Sequence, residues 1–328
     1  MKWWFKPVFI TICVIETSLG IYLGFRFYQR KEVQVLGSTS VSVIHKATNT
    51  SNLQSTLKYY YEPQSNSTEI DTTPWVKGKV VWTYNNDTLN DRFDYTLDKP
   101  PRTYRIIAIG DSFTFGDHVN TADSWPEKLE DFLNTIHLCP AYDKYEVLNL
   151  GLRGFDIQNM VERYRLRGAK YHPDLVIWVL ISRDLSQVRE LMNGRAEELY
   201  AQAVKNGTLD PRWPWTEPLK IAEEELHKKY TAQEIARMQD GFFSDFPRMY
   251  SGPVIVATLP STEERYKLEM RGWTRYKANL YYYEDMPDIY DSPDLYFQGD
   301  YHPTVLAHEL IARTFYKYIQ KNASVFCK

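Results

Sequence analysis

Residues 105–116, RIIAIGDSFTFG, have the composition of a buried strand that ends in a polar turn. The apolar run at 106–109 is mostly β-branched and lacks polar alternation, which is typical of a strand in a parallel sheet. Gly110 and Asp111 end the run and place Ser112 just beyond the strand, where ligands bind in open α/β sheets. A serine at this point can act as a nucleophile, although Gly-Asp-Ser is also ordinary turn composition.

Two more turns follow apolar runs further along the chain. Gly151 comes after residues 145–150, YEVLNL, and the pair Arg183-Asp184 comes after residues 175–181, LVIWVLI. The carboxyl ends of parallel strands meet at one edge of a sheet, so these turns are expected near Ser112. The backbone N–H groups of Ser112 and Gly151 are predicted oxyanion donors, since a glycine lets the main chain approach closely.

An Asp-x-His pair, Asp300 and His302, arrives near the end of the chain. Acyl transfer needs a nucleophile, a base that takes its proton, an orienter for that base, and donors for the oxyanion. A single histidine at the start of a helix is more often a capping or surface residue. Together with the three turns, however, His302 and Asp300 complete the set of groups that acyl transfer requires.

A repeating strand–helix pattern from Arg105 onward must position these residues, and it predicts an α/β fold with a parallel sheet. The run at 175–181 is expected to be the central strand. A capping box at Ser124 to Glu127 predicts the start of the helix that follows the serine turn. Asp156 is expected to cap the next helix.

A long segment of chain separates the predicted central strand from the next predicted strand, at residues 253–259. Residues 186–246 are interpreted as a helical insertion, because the periodic segments there include a second capping box, Thr231 to Glu234. The length exceeds that of a simple crossover. The insertion is either a lid or substrate wall beside the site, or a purely structural addition.

The N-terminal region predicts a membrane anchor. Residues 7–25 are nearly all apolar and flanked by positive charges, and nineteen residues of helix just cross a bilayer core. Glu16 argues against this interpretation, and a cleaved signal peptide is the alternative. The predicted organisation is an anchor at 1–31, a tether or small region at 32–100, and a catalytic domain at 101–322. The tether is expected to be extended or to include one or two edge strands, and a further strand is expected near 79–83.

Charge and cysteine content exclude some function classes. A net charge of −3 over 328 residues gives no basis for nucleic-acid binding. The chain has no C-x-x-C or His-rich cluster, which argues against a structural zinc site. Neither a metal nor another cofactor is predicted. Outside the anchor, Cys139 and Cys327 either pair in an oxidising compartment or remain free.

The combined motifs resemble the SGNH (GDSL-like) hydrolases, with the nearest resemblance to a membrane-anchored, bacterial subgroup. The resemblance covers residues 102–319. Its four blocks are GDSFTFG at 110–116, NLGLRG at 149–154, PDLV at 173–176 leading into the third turn, and DYHP at 300–303.

This resemblance implies a flavodoxin-like three-layer α/β/α sandwich and metal-independent ester hydrolysis through a serine. Carried over by position, Ser112 is the nucleophile and an oxyanion donor, and Gly151 is a second donor. His302 is the base, with Asp300 as its orienter. Asp111 and Asp184 are expected to support the turns.

Two positions depart from the family pattern. Arg183 stands where the third block normally offers an asparagine amide, and it either donates to the oxyanion, binds an anionic substrate group, or pairs with Asp184. The usual acid lies three residues before the histidine, where this chain has Gly299. Asp300 must therefore substitute from two residues before His302, or a backbone carbonyl must orient the base.

Three functions follow as hypotheses. The leading one is an extracytoplasmic, membrane-tethered serine esterase that removes O-acyl groups, such as acetyl, from an envelope or extracellular polysaccharide. The second is an O-acyltransferase that uses a glycan hydroxyl as acceptor. The third is a glycan-binding protein with an impaired oxyanion hole.

Overall fold

The computed structural model describes residues 54–73, 75–136, 138–210, 214–275 and 279–327. The anchor predicted at residues 7–25 lies outside these ranges. Within them, no helix combines the length and apolar character that a membrane span needs.

Five parallel strands form the central sheet: β3 (Thr103–Ile109), β4 (Lys144–Asn149), β5 (Leu175–Leu180), β6 (Val254–Thr258) and β7 (Leu280–Tyr283). They lie in the order β4-β3-β5-β6-β7. This is the flavodoxin-like order 2-1-3-4-5, in which ligands bind where the strand order reverses. Here the reversal lies between β3, which leads to Ser112, and the central β5, which leads to Arg183.

The sequence predicted the first four of these strands to within two residues and the central place of β5. Every residue of β3, β5 and β6 is buried, including Arg105 of β3, which forms an ion pair with Glu146. The edge strand β7 was not predicted, because its sequence, LYYY, is short and its three tyrosines remain partly exposed.

Helices cover the sheet on both faces. Helix α2 (Trp125–Ile136) packs on β4 and on α9 (Val305–Lys321), whereas α3 (Ile157–Arg163) packs on α7 (Ala232–Asp245). The right-handed connections expected between parallel strands place these pairs on opposite faces, giving three layers. The helices are α1 (Ser112–Phe115), α2 (Trp125–Ile136), α3 (Ile157–Arg163), α4 (Ser182–Ser186), α5 (Arg189–Asn206), α6 (Thr216–Lys229), α7 (Ala232–Asp245), α8 (Glu264–Arg275), α9 (Val305–Lys321) and α10 (Ala323–Phe326).

The predicted insertion at 186–246 is helical and consists of α5, α6 and α7. Its last helix belongs to the main core, because Phe243 of α7 stacks on Trp178 of β5 with ring centroids 5.0 Å apart. Helices α5 and α6 bury a separate apolar cluster that includes Met192 and Leu219. Helix α7 therefore packs on the sheet as part of the sandwich, whereas α5 and α6 form an additional pair of helices.

An antiparallel hairpin precedes the sheet where a tether was predicted. Its strands are β1 (Ser67–Asp71) and β2 (Val80–Tyr84), and the predicted strand near 79–83 corresponds to β2. Trp82 is buried in the core that includes Ile107 and Ile109 of β3, and its Nε1 donates to Gly116 O at 3.1 Å. The Ser, Thr and Asn content suggested an extended chain, yet a few large apolar residues suffice to hold residues 54–100 against the sheet.

One of the two predicted capping boxes is wrong. Helix α2 begins at Trp125, but Ser124 Oγ is buried with no hydrogen-bond partner among the described residues. The Glu127 carboxylate, which should reach back to the cap, instead pairs with Arg92. Glu127 thus forms a partly buried ion pair in place of the capping hydrogen bond. The second box is confirmed, since Thr231 and Glu234 exchange their bonds at the start of α7.

A disulfide bond joins Cys139 and Cys327. It ties the loop after α2 to the segment after α10, across 188 residues of sequence. The sequence left open whether these cysteines pair, and the structure pairs them.

Candidate active site

Ser112 is the first residue of α1, directly after β3. The Asp111 side chain caps this short helix, since its Oδ1 accepts from the Phe113 amide at 2.9 Å. Burial raises the pKa of Asp111 to about 6. No acceptor within the described part of the chain takes the backbone N–H of Ser112. The turn therefore presents both a hydroxyl and an amide donor at the sheet edge.

The structure brings Ser112 and His302 together across 190 residues of sequence. The Oγ of Ser112 lies 2.7 Å from Nε2 of His302, and Nδ1 of the same ring lies 2.8 Å from Oδ2 of Asp300. The three side chains are buried, with at most about a tenth of the serine exposed. This is the nucleophile–base–acid geometry that acyl transfer uses.

The shifted position of the acid has a local structural cause. Tyr301, between Asp300 and His302, has a φ of 69°, an unusual left-handed conformation for a non-glycine residue. The turn is held by bonds from the Tyr301 and Asp300 amides to Phe297 O. A Cβ at Gly299 would meet Trp75 at 3.2 Å, so the usual acid position is crowded. The backbone thus directs Asp300, rather than residue 299, to the histidine.

Two residues that the sequence did not single out extend this arrangement. Nε2 of His118 binds the same Oδ2 of Asp300, and Nδ1 of His118 lies 2.6 Å from Oδ2 of Asp71. Asp71 in turn accepts from the amide and hydroxyl of Thr73, at 2.8 and 2.7 Å. A continuous chain of hydrogen bonds therefore runs from Ser112 to the N-terminal hairpin.

Electrostatics in this cluster favour an ionised Asp300. Burial alone would raise the pKa of Asp300, but the charge of His302 and hydrogen bonds from both imidazoles hold it far below its usual range. Burial disfavours a charged His302, whereas Asp300 raises the pKa of that imidazole above its ordinary value. Burial also opposes protonation of His118, but Asp117, Asp300 and Asp71 together raise its pKa to about 10.

The structure gives Gly151 a different hydrogen bond from the predicted one. Its amide donates to Oδ1 of Asn149 at 3.0 Å, within the turn that follows β4, rather than remaining available for an oxyanion. The absence of a side chain is needed for another reason. A Cβ at this position would lie 2.3 Å from the Phe115 amide nitrogen, so the glycine allows α1 to pack on the turn.

Arg183 lies in α4, which begins at the end of β5 beside the serine turn. Burial and the charge of Arg189 lower the pKa of Arg183 to about 10. The charge of Arg183 in turn lowers the pKa of Asp111. Asp184 accepts from the Ile181 amide at 2.9 Å and so closes the first turn of α4. Arg183 is thus a cation within electrostatic range of the serine turn, supported by a turn that Asp184 stabilises.

The described residues contain one group that could hold a metal ion, formed by Asp117, His118 and His302. Each ring nitrogen of the two histidines already has a hydrogen-bond partner in Ser112, Asp300 or Asp71. A bound ion would have to displace two of these bonds, one of them from His302. The geometry favours hydrogen bonding over metal coordination at this point.

Comparison with known proteins finds neither a matching family model nor a matching curated protein. Solved structures to which the chain is similar include esterases and lipolytic proteins. One, described as a lipolytic protein of the G-D-S-L family from Desulfitobacterium hafniense DCB-2, is 19% identical with a TM-score of 0.38. The match covers 66% of this chain and 98% of that one.

Two other similar structures are carbohydrate esterases. A two-domain esterase active on acetylated mannans is 16% identical with a TM-score of 0.41, and the match covers 67% of this chain and 50% of that one. A family 3 carbohydrate esterase from Clostridium thermocellum is 15% identical with a TM-score of 0.39, covering 68% of this chain and 99% of that one. Similarity at this level identifies no function, so the chemistry of this chain must be inferred from its own site.

Proposed function

We propose that the protein is a serine esterase of the SGNH type that hydrolyses a carboxylic ester. The observation that supports this most strongly is the buried Ser112–His302–Asp300 arrangement, with hydrogen bonds of 2.7 and 2.8 Å. Such a hydroxyl–imidazole–carboxylate series, at the strand-order reversal of a parallel sheet, has the parts and the location that nucleophilic catalysis requires.

In the first half of the reaction, Nε2 of His302 takes the proton of Ser112 while Oγ bonds to the ester carbonyl carbon. The carbonyl oxygen becomes an oxyanion, which the Ser112 amide and the positive charge of Arg183 stabilise. The C–O bond to the leaving alcohol then breaks, and His302 returns the proton to that oxygen. The product is an acyl-serine.

In the second half, a water molecule takes the place of the alcohol. His302 removes its proton as the water oxygen bonds to the acyl carbon, and the proton then passes to Ser112 Oγ as the acyl-serine bond breaks. Asp300 accepts the Nδ1–H of His302 throughout, which fixes the tautomer and stabilises the transient imidazolium. No other group in this scheme changes its covalent bonds.

The proposed substrate is an O-acylated, in particular O-acetylated, polysaccharide outside the cytoplasm. The disulfide bond between Cys139 and Cys327 supports an oxidising compartment. The apolar segment at 7–25 supports attachment to the membrane that bounds it. The protein would then act on glycans of the envelope or the extracellular space.

Turnover of p-nitrophenyl acetate by the full-length protein tests the hydrolase proposal. We expect Ser112→Ala to lower kcat/KM by about 10⁴-fold or more. Ser124→Ala is a matched control, because it removes a buried hydroxyl that has no hydrogen-bond partner among the described residues. Equal turnover by wild type and Ser112→Ala, or none by either, would reject the proposal.

A glycan-binding protein is the second candidate, favoured by one observation. The Gly151 amide is engaged by Asn149, which removes one expected oxyanion donor. Retention of polysaccharide binding by a wild-type protein that turns over no ester would support this alternative.

A further inference from the structure

His118 stands between two carboxylates, and this constrains its protonation. Its ring nitrogens contact Oδ2 of Asp300 and Oδ2 of Asp71. An ionised carboxylate only accepts hydrogen bonds, so each nitrogen must carry a hydrogen to satisfy both partners. The ring is then an imidazolium, in contrast to His302, whose Nε2 faces a hydroxyl.

We propose that His118 is a fixed cation that positions Asp300 and keeps Nε2 of His302 free to accept the proton of Ser112. Asp71 and Thr73 anchor this cation from the N-terminal hairpin. This inference rests on the proposed esterase activity, and it assigns to the active site a hairpin that lies outside the parallel sheet.

The surroundings of His118 explain why a fixed charge is needed. The ring is fully buried, and it meets the edges of Trp75, Phe297 and His302 with centroids 5.3 to 5.6 Å apart. Asp117 lies beside both histidines. Neither of its carboxylate oxygens has a hydrogen-bond partner among the described residues, and Arg153 approaches only to 3.9 Å.

Without the positive charge of His118, the negative charges of Asp300 and Asp117 would act on His302 unopposed. Asp300 and Asp117 both raise the pKa of His302, whereas the charge of His118 lowers it. A base that is protonated at working pH cannot take the proton of a serine. The cation on His118 therefore offsets the carboxylates that would otherwise keep His302 protonated.

The contacts of His118 also fix the direction of Asp300. Oδ2 of Asp300 accepts from both imidazoles, so His118 holds the carboxylate by a second hydrogen bond besides the one from His302. This second contact supports an acid that reaches the base from two residues away instead of three. His118 is thus a positioning residue that acts through Asp300 and does not touch the reacting atoms.

The kinetic test compares His118→Gln with the wild type on p-nitrophenyl acetate over a range of pH. Loss of a hydrogen bond to a charged group predicts a fall in kcat/KM of about 10- to 100-fold. Loss of the positive charge also predicts that the acid limb of the profile moves to higher pH, because His302 then holds its proton more tightly. A fall without that movement would show a merely structural role and overturn the proposal.

His308→Gln is the matched control for this shift. His308 is also buried, with Nδ1 accepting from the Trp125 amide at 3.2 Å, and burial lowers the pKa of His308 to about 3. Its replacement therefore removes a buried ring without removing a charge. We expect the acid limb to stay in place in this variant even if stability falls, and an equal shift in both variants would contradict the charge-based explanation.

A second measurement does not require activity. In ¹⁵N-histidine NMR of full-length Ser112→Ala, His118 should remain doubly protonated from about pH 5 to about pH 9, and His302 should lose its second proton at a lower pH than His118 does. Asp71→Asn should lower the pKa of His118, since a carboxylate that raises it is lost. A neutral His118 at neutral pH would overturn the proposal. Absence of esterase activity with this NMR pattern intact would reject the proposed function alone.

Discussion

Oδ2 of Asp71 lies 2.6 Å from Nδ1 of His118, which joins the end of strand β1 to the active-site cluster. Removal of residues before the parallel sheet would therefore remove part of the environment of the base. The proposed catalytic unit includes the hairpin in addition to the region from 101 onward that the motifs indicate, so functional studies need both.

Asp300→Asn tests the assignment of the acid. An asparagine keeps the shape but replaces a charged acceptor with a neutral amide, which favours the wrong tautomer of His302. We expect kcat to fall by about 10³–10⁴-fold with a small change in KM, measured with p-nitrophenyl acetate. Asp294→Asn, on the exposed part of the same loop, should retain wild-type kcat. Near-normal activity of Asp300→Asn would mean that another group orients the base.

Arg183→Met tests the role of Arg183, which stands where the resembled family has an asparagine. If the guanidinium stabilises the oxyanion, kcat should fall by about 10²–10³-fold on a neutral ester while KM changes little. A neutral substrate is chosen because a role in binding an anionic group would leave its kcat unchanged. Arg237→Met, an exposed arginine of α7, is the control. Unaltered kcat in Arg183→Met would remove Arg183 from the oxyanion site.

Glu130→Gln should change how stability depends on pH. Burial, together with the nearby Asp91, raises the pKa of Glu130 to about 8. The folded state therefore holds this proton more tightly than the unfolded state, and the stability gained below pH 4.5 is lost as pH rises towards 8. The variant cannot ionise, so above pH 8 it should be more stable by about 5 kcal/mol, with little difference near pH 4.5.

Thermal unfolding of wild type and Glu130→Gln across this pH range measures the effect. Glutamine can still accept from the Val147 amide, which donates to Glu130 at 2.7 Å in the wild type. Glu224→Gln, at an exposed position on α6, should show the wild-type pH dependence. Parallel curves for wild type and Glu130→Gln would contradict the raised pKa.

Cys139→Ser tests the contribution of the disulfide bond to stability. The bond closes a loop of 188 residues, and loss of such a constraint typically lowers the free energy of unfolding by about 2–5 kcal/mol. Urea unfolding of the oxidised protein, the single variant and the double variant with Cys327→Ser measures this. The two variants should be equally destabilised. No difference between wild type and either variant would show that the bond is absent in solution.

Four strands of the sheet and the position of Ser112 could be predicted from sequence because their signals are local. Apolar runs predicted β3, β5 and β6, and the block at 110–116 indicated where the site lies. The pairing of Asp300 with His302 depends on a left-handed Tyr301, which no single-sequence pattern reveals. Its occurrence follows from packing, since Trp75 crowds the neighbouring Gly299.

The rest of the cluster depends on contacts distant in sequence. His118 lies two residues after the serine block, and this proximity was the one available signal. Asp71 gave none, because it lies in a segment whose Ser, Thr and Asn content suggested an extended tether. The capping box at Ser124 and Glu127 was wrongly predicted for the same reason, because Glu127 pairs with Arg92, which is distant in sequence.

The most direct test of the account is covalent labelling of the full-length protein with a fluorophosphonate, followed by peptide mass spectrometry. The hydrogen bond between Ser112 and His302 predicts one adduct, on Ser112, whose rate of formation falls by about 10²-fold or more in His302→Gln. An adduct on a different residue, or labelling of Ser112 at the same rate in wild type and His302→Gln, would contradict it.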